Sequence, residues 1–150
     1  MQKKWWKLLD TIDIYITAWM KKEGITFLRW SLAIIFIWFG ILKPFNLSPA
    51  QDLVANTVYW FSPELFVPIL GWWEVLIGVC FLFKPLIRIG ILLLALQMAG
   101  TFLPLFLLPE IVYNKSFFSL TLEGQYIIKN LVIIGAAIVI GSHVRDKKNS

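Results

Sequence analysis

Gly71-Trp72-Trp73-Glu74-Val75-Leu76-Ile77-Gly78-Val79-Cys80 is the stretch whose reading decides the fold. One carboxylate stands among large apolar side chains. Followed outward in both directions, the run stays apolar from Pro63 to Phe83 apart from the Glu64 near its start. That length is close to the roughly 20 residues with which a helix crosses about 30 Å of hydrocarbon. Glu74 falls near the middle of the run, where a charge costs about 2.5–3.5 kcal/mol on insertion scales. The surroundings must explain it.

Composition sets the frame. Of 150 residues, 59% are hydrophobic and 15% charged, and the mean hydropathy is +0.75. A soluble domain of this length needs a larger polar coat. Eight tryptophans suit the membrane–water interface. The formal net charge is +5, but the basic residues gather at the two ends and in one short connection. Anionic lipid therefore explains them, and no nucleic-acid partner is expected. Cys80 is alone, which excludes an intramolecular disulfide or a Cys-x-x-Cys pair. His143 is the single histidine, so neither a bis-histidine haem site nor a zinc ligand set is available. The first twenty residues lack the apolar core and small-residue cleavage site of a signal peptide.

Three further stretches match the first in length and polarity: Gly24–Leu42, Leu86–Leu108 and Leu122–Gly141. Helices satisfy their own backbone groups in lipid, and no period-2 alternation recurs, so the predicted fold is all-α: an integral membrane four-helix bundle. Lys3, Lys4, Lys7, Lys21 and Lys22 precede the first span, Lys84 and Arg88 sit between the second and third, and Arg145, Lys147 and Lys148 follow the fourth. The positive-inside rule then places both termini in the cytoplasm. Residues 1–23 read as a separate unit ahead of the four-span domain of residues 24–150. In that arm Trp5, Leu8, Leu9, Ile12, Ile16 and Trp19 share one helical face, which predicts an amphipathic helix on the inner surface. In the loop between the first two spans, Ser48-Pro49 is a helix start signal, and Leu53, Val54, Thr57, Val58 and Phe61 follow on one face. A short outward-facing helix lying like a lid is expected there. Ser62-Pro63-Glu64 opens the second span in the same way.

Helical spacing sorts the polar residues of the spans into stripes. Arg29, Ala33, Phe36, Gly40 and Lys43 share a face of the first helix, and Gly71, Glu74 and Gly78 share one of the second. The glycines would admit a close neighbour. Gly90, Gln97, Thr101 and Pro104 recur on the third, with a bend expected at Pro104. On the fourth, Glu123, Gln125, Tyr126, Lys129 and Asn130 crowd the outer half, while Gly135, Ala136, Ala137 and Gly141 make the inner half small. Glu74 is expected to be partnered by Lys129 or Lys43, and by Gln97. Lys43, Glu74, Gln97, Thr101, Glu123, Tyr126, Lys129 and Asn130 are thus the candidate ligand-binding residues or buried polar network. The bland alternative is an ion pair that only fixes helix register. Arg29 is expected to snorkel to the cytoplasm, Trp38, Trp60, Trp72 and Trp73 to serve interface or packing, and Cys80 to be an inert core residue.

The chain resembles the DoxX-like family of small four-helix bacterial membrane proteins, including its reactive-chlorine-resistance branch. The resemblance is carried by Gly40-Ile41-Leu42-Lys43, by Gly71-Trp72-Trp73-Glu74 with Gly78, and by Glu123-Gly124-Gln125-Tyr126-Ile127-Ile128-Lys129-Asn130, and it covers about Thr26 to Gly141. It implies a redox- or oxidative-stress-associated protein of the bacterial inner membrane, with a pocket for a quinone or a small sulfur or chlorine species. The loop Pro44–Ser62 is shorter than that branch can carry. With no metal or haem ligands, electrons would come from a redox partner protein or a soluble reductant. The alternatives are a small proton-coupled transporter or channel, with a homodimer supplying symmetry, and a non-enzymatic scaffold or assembly partner.

Overall fold

The computed structural model describes residues 2–116 and 118–145, apart from the side chains of residues 2–4 and 8. Lys147, Lys148 and the side chains of Lys3, Lys4 and Leu8 lie outside the described residues. The chain is helical: α1 (Gln2–Leu42), α2 (Gln51–Thr57), α3 (Pro63–Leu82), a 3₁₀ turn (Lys84–Leu86), α4 (Ile87–Thr101), α5 (Pro104–Leu107), α6 (Pro109–Val112) and α7 (Leu122–Ser142). Among the described residues there is no β-strand, only one bridge between Tyr113 and Leu120. Four helical stretches there are long and apolar enough to cross a membrane: Trp5–Leu42, Pro63–Leu82, Lys84–Leu107 and Leu122–Ser142. α1 packs on α3, α3 on α4, α4 on α7, and α7 on α1.

The α1–α3 contact is the closest, and its cause is the pair of glycine-bearing stripes. A Cβ on Gly40 would stand 2.7 Å from the Gly71 carbonyl oxygen, and one on Gly71 would stand 2.6 Å from the Gly40 carbonyl oxygen. Two backbones touch where neither residue carries a side chain, and dispersion contacts between close helices do the holding. Two turns further along, Gly78 lies against Ile37 and the Ala33 carbonyl. Leu32, Ala33 and Phe36 of α1 join Ile77 and Phe81 of α3, Leu94 and Met98 of α4, and Ala136, Ala137 and Ile140 of α7 in one buried core.

Helix ends follow local chemistry. α1 closes in a Schellman motif: Asn46 adopts φ 57°, its N–H donates to the Lys43 carbonyl at 3.1 Å, and the Leu47 N–H donates to the Leu42 carbonyl at 2.9 Å. Asparagine tolerates the left-handed region, so this turn fixes where Lys43 stands. Pro63 occupies the first turn of α3. Thr121 caps α7, its Oγ1 accepting from the Gly124 N–H at 3.1 Å and donating to the Ile111 carbonyl at 2.7 Å.

Several expectations change. α1 is one unbroken helix across the expected boundary at residues 23 and 24. Gly24 alone weakens a helix by about 1 kcal/mol, which does not break it. α2 begins at Gln51, with Ser48 and Pro49 in the preceding turn instead of at the cap and first helical position. The third apolar stretch divides at Phe102 and Leu103, because Pro104 has no N–H to give the Gly100 carbonyl, and the Leu103 N–H takes that acceptor at 3.1 Å. Gly135 is exposed and faces open space, whereas Ala136 and Ala137 are buried and Gly141 meets Ile91.

Arg29 does not snorkel. It is 5% exposed, and its guanidinium donates to the Phe81 carbonyl at 3.2 and 3.1 Å and to the Leu82 carbonyl at 2.9 Å. The last carbonyls of a helix lack intrahelical donors, and Arg29 of α1 supplies them to α3. Its planar fork suits two adjacent carbonyls.

Candidate functional site

Lys43 stands in the turn that ends α1, one helical turn beyond Gly40. Glu74 stands on α3, one turn beyond Gly71 in the other direction along the crossing. The close glycine contact brings the two stripes together, and the Lys43 Nζ donates to the Glu74 Oε2 in a buried ion pair. Lys43 is 6% exposed and Glu74 8%. The lysine therefore folds inward to the carboxylate although it sits at a helix end. Gln97 of α4 donates its Nε2 to the Glu74 Oε1 at 2.7 Å. Glu74 thus joins α1, α3 and α4. The carboxylate demands the amide NH₂, which turns the Gln97 Oε1 the other way, where it is enclosed and accepts no hydrogen bond among the described residues.

The network forms part of the wall of a cavity of about 930 Å³. The rest of that wall is mainly apolar and includes Phe36, Phe39, Leu70, Trp73, Ile127 and Ile133. Leu53, Val54 and Thr57 of α2 and the following Val58, four residues of the expected lid face, also line the cavity. Phe61 leaves that face and stacks on Phe66, ring centroids 5.5 Å apart. α7 enters the core through Ala136, Ala137 and Ile140, and its first turn is pinned by Gly124, where a Cβ would stand 2.3 Å from the Val112 carbonyl oxygen. Between those anchors Tyr126, Ile127, Lys129, Asn130, Val132 and Ile133 border the cavity. The wall residues Phe39, Leu96, Tyr126 and Val132 are each more than half exposed, so the cavity opens on the flank of the helices.

Comparison with protein-family models, with curated proteins and with solved structures gave no match. The site is read from its own residues.

Of the eight candidate residues, seven border the cavity: Lys43, Glu74, Gln97, Thr101, Tyr126, Lys129 and Asn130. Glu123 does not. It is exposed, one turn before Tyr126. Lys129, the other expected partner of Glu74, makes no ion pair among the described residues. Its Nζ lies over the Tyr126 ring, 5.1 Å from the centroid. Thr101 donates its hydroxyl to the Gln97 carbonyl at 3.1 Å, which steadies the turn that carries Gln97. Asn130 donates to the Tyr126 and Ile127 carbonyls at 3.1 and 3.2 Å. Trp73 was expected to serve interface or packing. It is half-buried against the core and also borders the cavity, and its position one residue before Glu74 is the signal that could have placed it there. Cys80 is buried, as expected of a core residue. No group of three or more metal-ligating side chains occurs among the described residues.

Chemically, the arrangement offers a large apolar volume, a neutralised ion pair, one further cation and a few hydroxyl and amide groups. That is the pattern of a site for an apolar molecule with a polar end.

Proposed function

We propose that the chain is a multi-pass bacterial inner-membrane protein that holds a lipid-soluble, quinone-like ligand between its helices. The observation that carries this reading is the flank-opening apolar cavity bordered by the Lys43–Glu74–Gln97 network and Lys129. A ligand dissolved in the bilayer would enter from the side. Lys129 would donate to its oxygen, and the buried pair would fix the wall.

In this reading the four long helices form a membrane-spanning bundle with both termini cytoplasmic and α2 on the outer surface. The lysine-rich arm, the Lys84–Arg88 connection and the basic tail support that orientation. α1 is 41 residues long, about 60 Å at the usual rise, or twice the hydrocarbon thickness. Its first half carries Trp5, Leu9, Ile12, Ile16 and Trp19 exposed on one face, which suits contact with lipid. The DoxX-like resemblance, and the redox or oxidative-stress association it implies, rest on the sequence motifs; two of them, Gly40…Lys43 and Gly71…Glu74, lie at the glycine contact and the ion pair.

A proton-coupled transporter needs a carboxylate that water reaches in turn from each side. Glu74 is held by two donors, which favours the ligand-site reading. The test is solvent extraction and mass spectrometry of purified wild type beside Glu74→Gln and Lys129→Met. A near-stoichiometric quinone lost in folded variants supports it. No small molecule, with variants that lose only thermal stability, makes the network an organiser of the helices.

A further inference from the structure

Three charged residues border the cavity: Lys43, Glu74 and Lys129. Two lysines against one glutamate leave one positive charge uncompensated. The geometry says which. Lys43 and Glu74 neutralise each other inside the wall. Lys129 has no carboxylate within ion-pair distance among the described residues, and its ammonium rests on the Tyr126 ring. It lies seven residues into α7, about 10 Å from the start of a helix apolar enough to span. A lysine at that depth is expensive in hydrocarbon unless an anion or water meets it. A cation–π contact at one ring supplies part of that compensation, and it leaves the face of the ammonium away from the ring available.

We infer that the cavity selects a ligand whose apolar body ends in an anionic oxygen, with Lys129 as the residue that pairs with it. This rests on the reading of the cavity as a ligand site and deepens it. Among lipid-soluble molecules, those with a charged oxygen are preferred over neutral carbonyl compounds. Two sources share this chemistry: a long-chain carboxylate, and the ionised hydroxyl of a hydroxyquinone. The ammonium gives the anion a charge-assisted hydrogen bond, roughly twice as strong as a neutral one. Lys129 is an exposed residue at the border of the cavity, and lipid against that flank would lower the local dielectric and strengthen the pairing. The flank opening lets a long alkyl body remain in the bilayer while the head is held. The Lys43–Glu74 pair cannot serve instead, because each partner is already bonded and nearly sealed.

The experiment compares matched probes on full-length protein in a neutral detergent by titration calorimetry. The pairs are palmitate with its methyl ester, and an alkyl hydroxynaphthoquinone with its methyl ether. Wild type should bind the acid of a pair about tenfold or more tightly than the ether or ester. Lys129→Met should reduce that preference to about twofold or less by weakening the acid far more than the neutral probe, and Lys129→Arg should keep it. Preference confined to the palmitate pair identifies a carboxylate ligand, and preference confined to the quinone pair identifies a hydroxyquinone. Equal binding of acid and neutral probes by wild type overturns the inference and leaves the cavity reading standing. So does a preference that survives in Lys129→Met. Failure of every probe to bind wild type overturns both.

Discussion

Lys43 and Glu74 form a buried ion pair across α1 and α3, one helical turn to either side of the contact between Gly40 and Gly71. The two features depend on each other. The glycines let the backbones approach, and the approach brings a lysine at a helix end within reach of a carboxylate deep in the neighbouring helix.

The first prediction concerns that pair. Glu74→Gln or Lys43→Met alone leaves a buried charge without its partner and should cost about 3–5 kcal/mol. The double variant removes both charges and should recover a large part of the loss. Thermal unfolding of the four proteins in one detergent gives the coupling energy. Additive losses would show that the two side chains do not depend on each other.

The second concerns the crossing. Gly71→Ala places a Cβ 2.6 Å from the Gly40 carbonyl oxygen, and overpacking of this kind should cost about 1–3 kcal/mol. Gly135→Ala meets nothing within 4 Å and should gain up to about 1 kcal/mol of helix propensity. Midpoints that move together would remove the special role of the α1–α3 contact.

The third concerns Arg29. Arg29→Met removes the donors to the Phe81 and Leu82 carbonyls and should destabilise by about 1.5–3 kcal/mol. Arg29→Lys should restore only part of this, because an ammonium lacks the planar fork. Full restoration by lysine would return Arg29 to the role of a simple cationic anchor.

The fourth concerns the start of α7. Thr121→Ala removes the cap on the Gly124 N–H and should cost about 0.5–2 kcal/mol. Thr121→Ser keeps the hydroxyl and should cost less. Hydrogen exchange at the first turn of α7 checks both.

The helices were legible in the sequence because hydropathy and length report them directly. The second and fourth expected spans end within one residue of α3 and α7. The Gly40 and Gly71 stripes were legible too, because residues three and four apart share a face whatever the tertiary structure, but which stripe meets which was not. The choice between Lys43 and Lys129 was not. Depth along a helix says how far down a side chain stands, while rotation about the axis decides what it meets. Arg29 was misread because its partners are backbone carbonyls, which leave no mark in side-chain identity. The continuity of α1 was hidden because a charge-rich arm and an apolar span differ in composition without any breaker between them. The cavity was invisible as a shape: a void is where packing stops, and only its polar border could be read from residue types.

The measurement that tests the account most directly is native mass spectrometry of the protein released from mild detergent, wild type beside Ile133→Trp, which fills part of the cavity. The account predicts one tightly held lipid-soluble molecule per wild-type chain, absent or sharply reduced in the filled variant at comparable thermal stability. A wild-type chain that carries nothing, or an adduct that persists unchanged in Ile133→Trp, would contradict it.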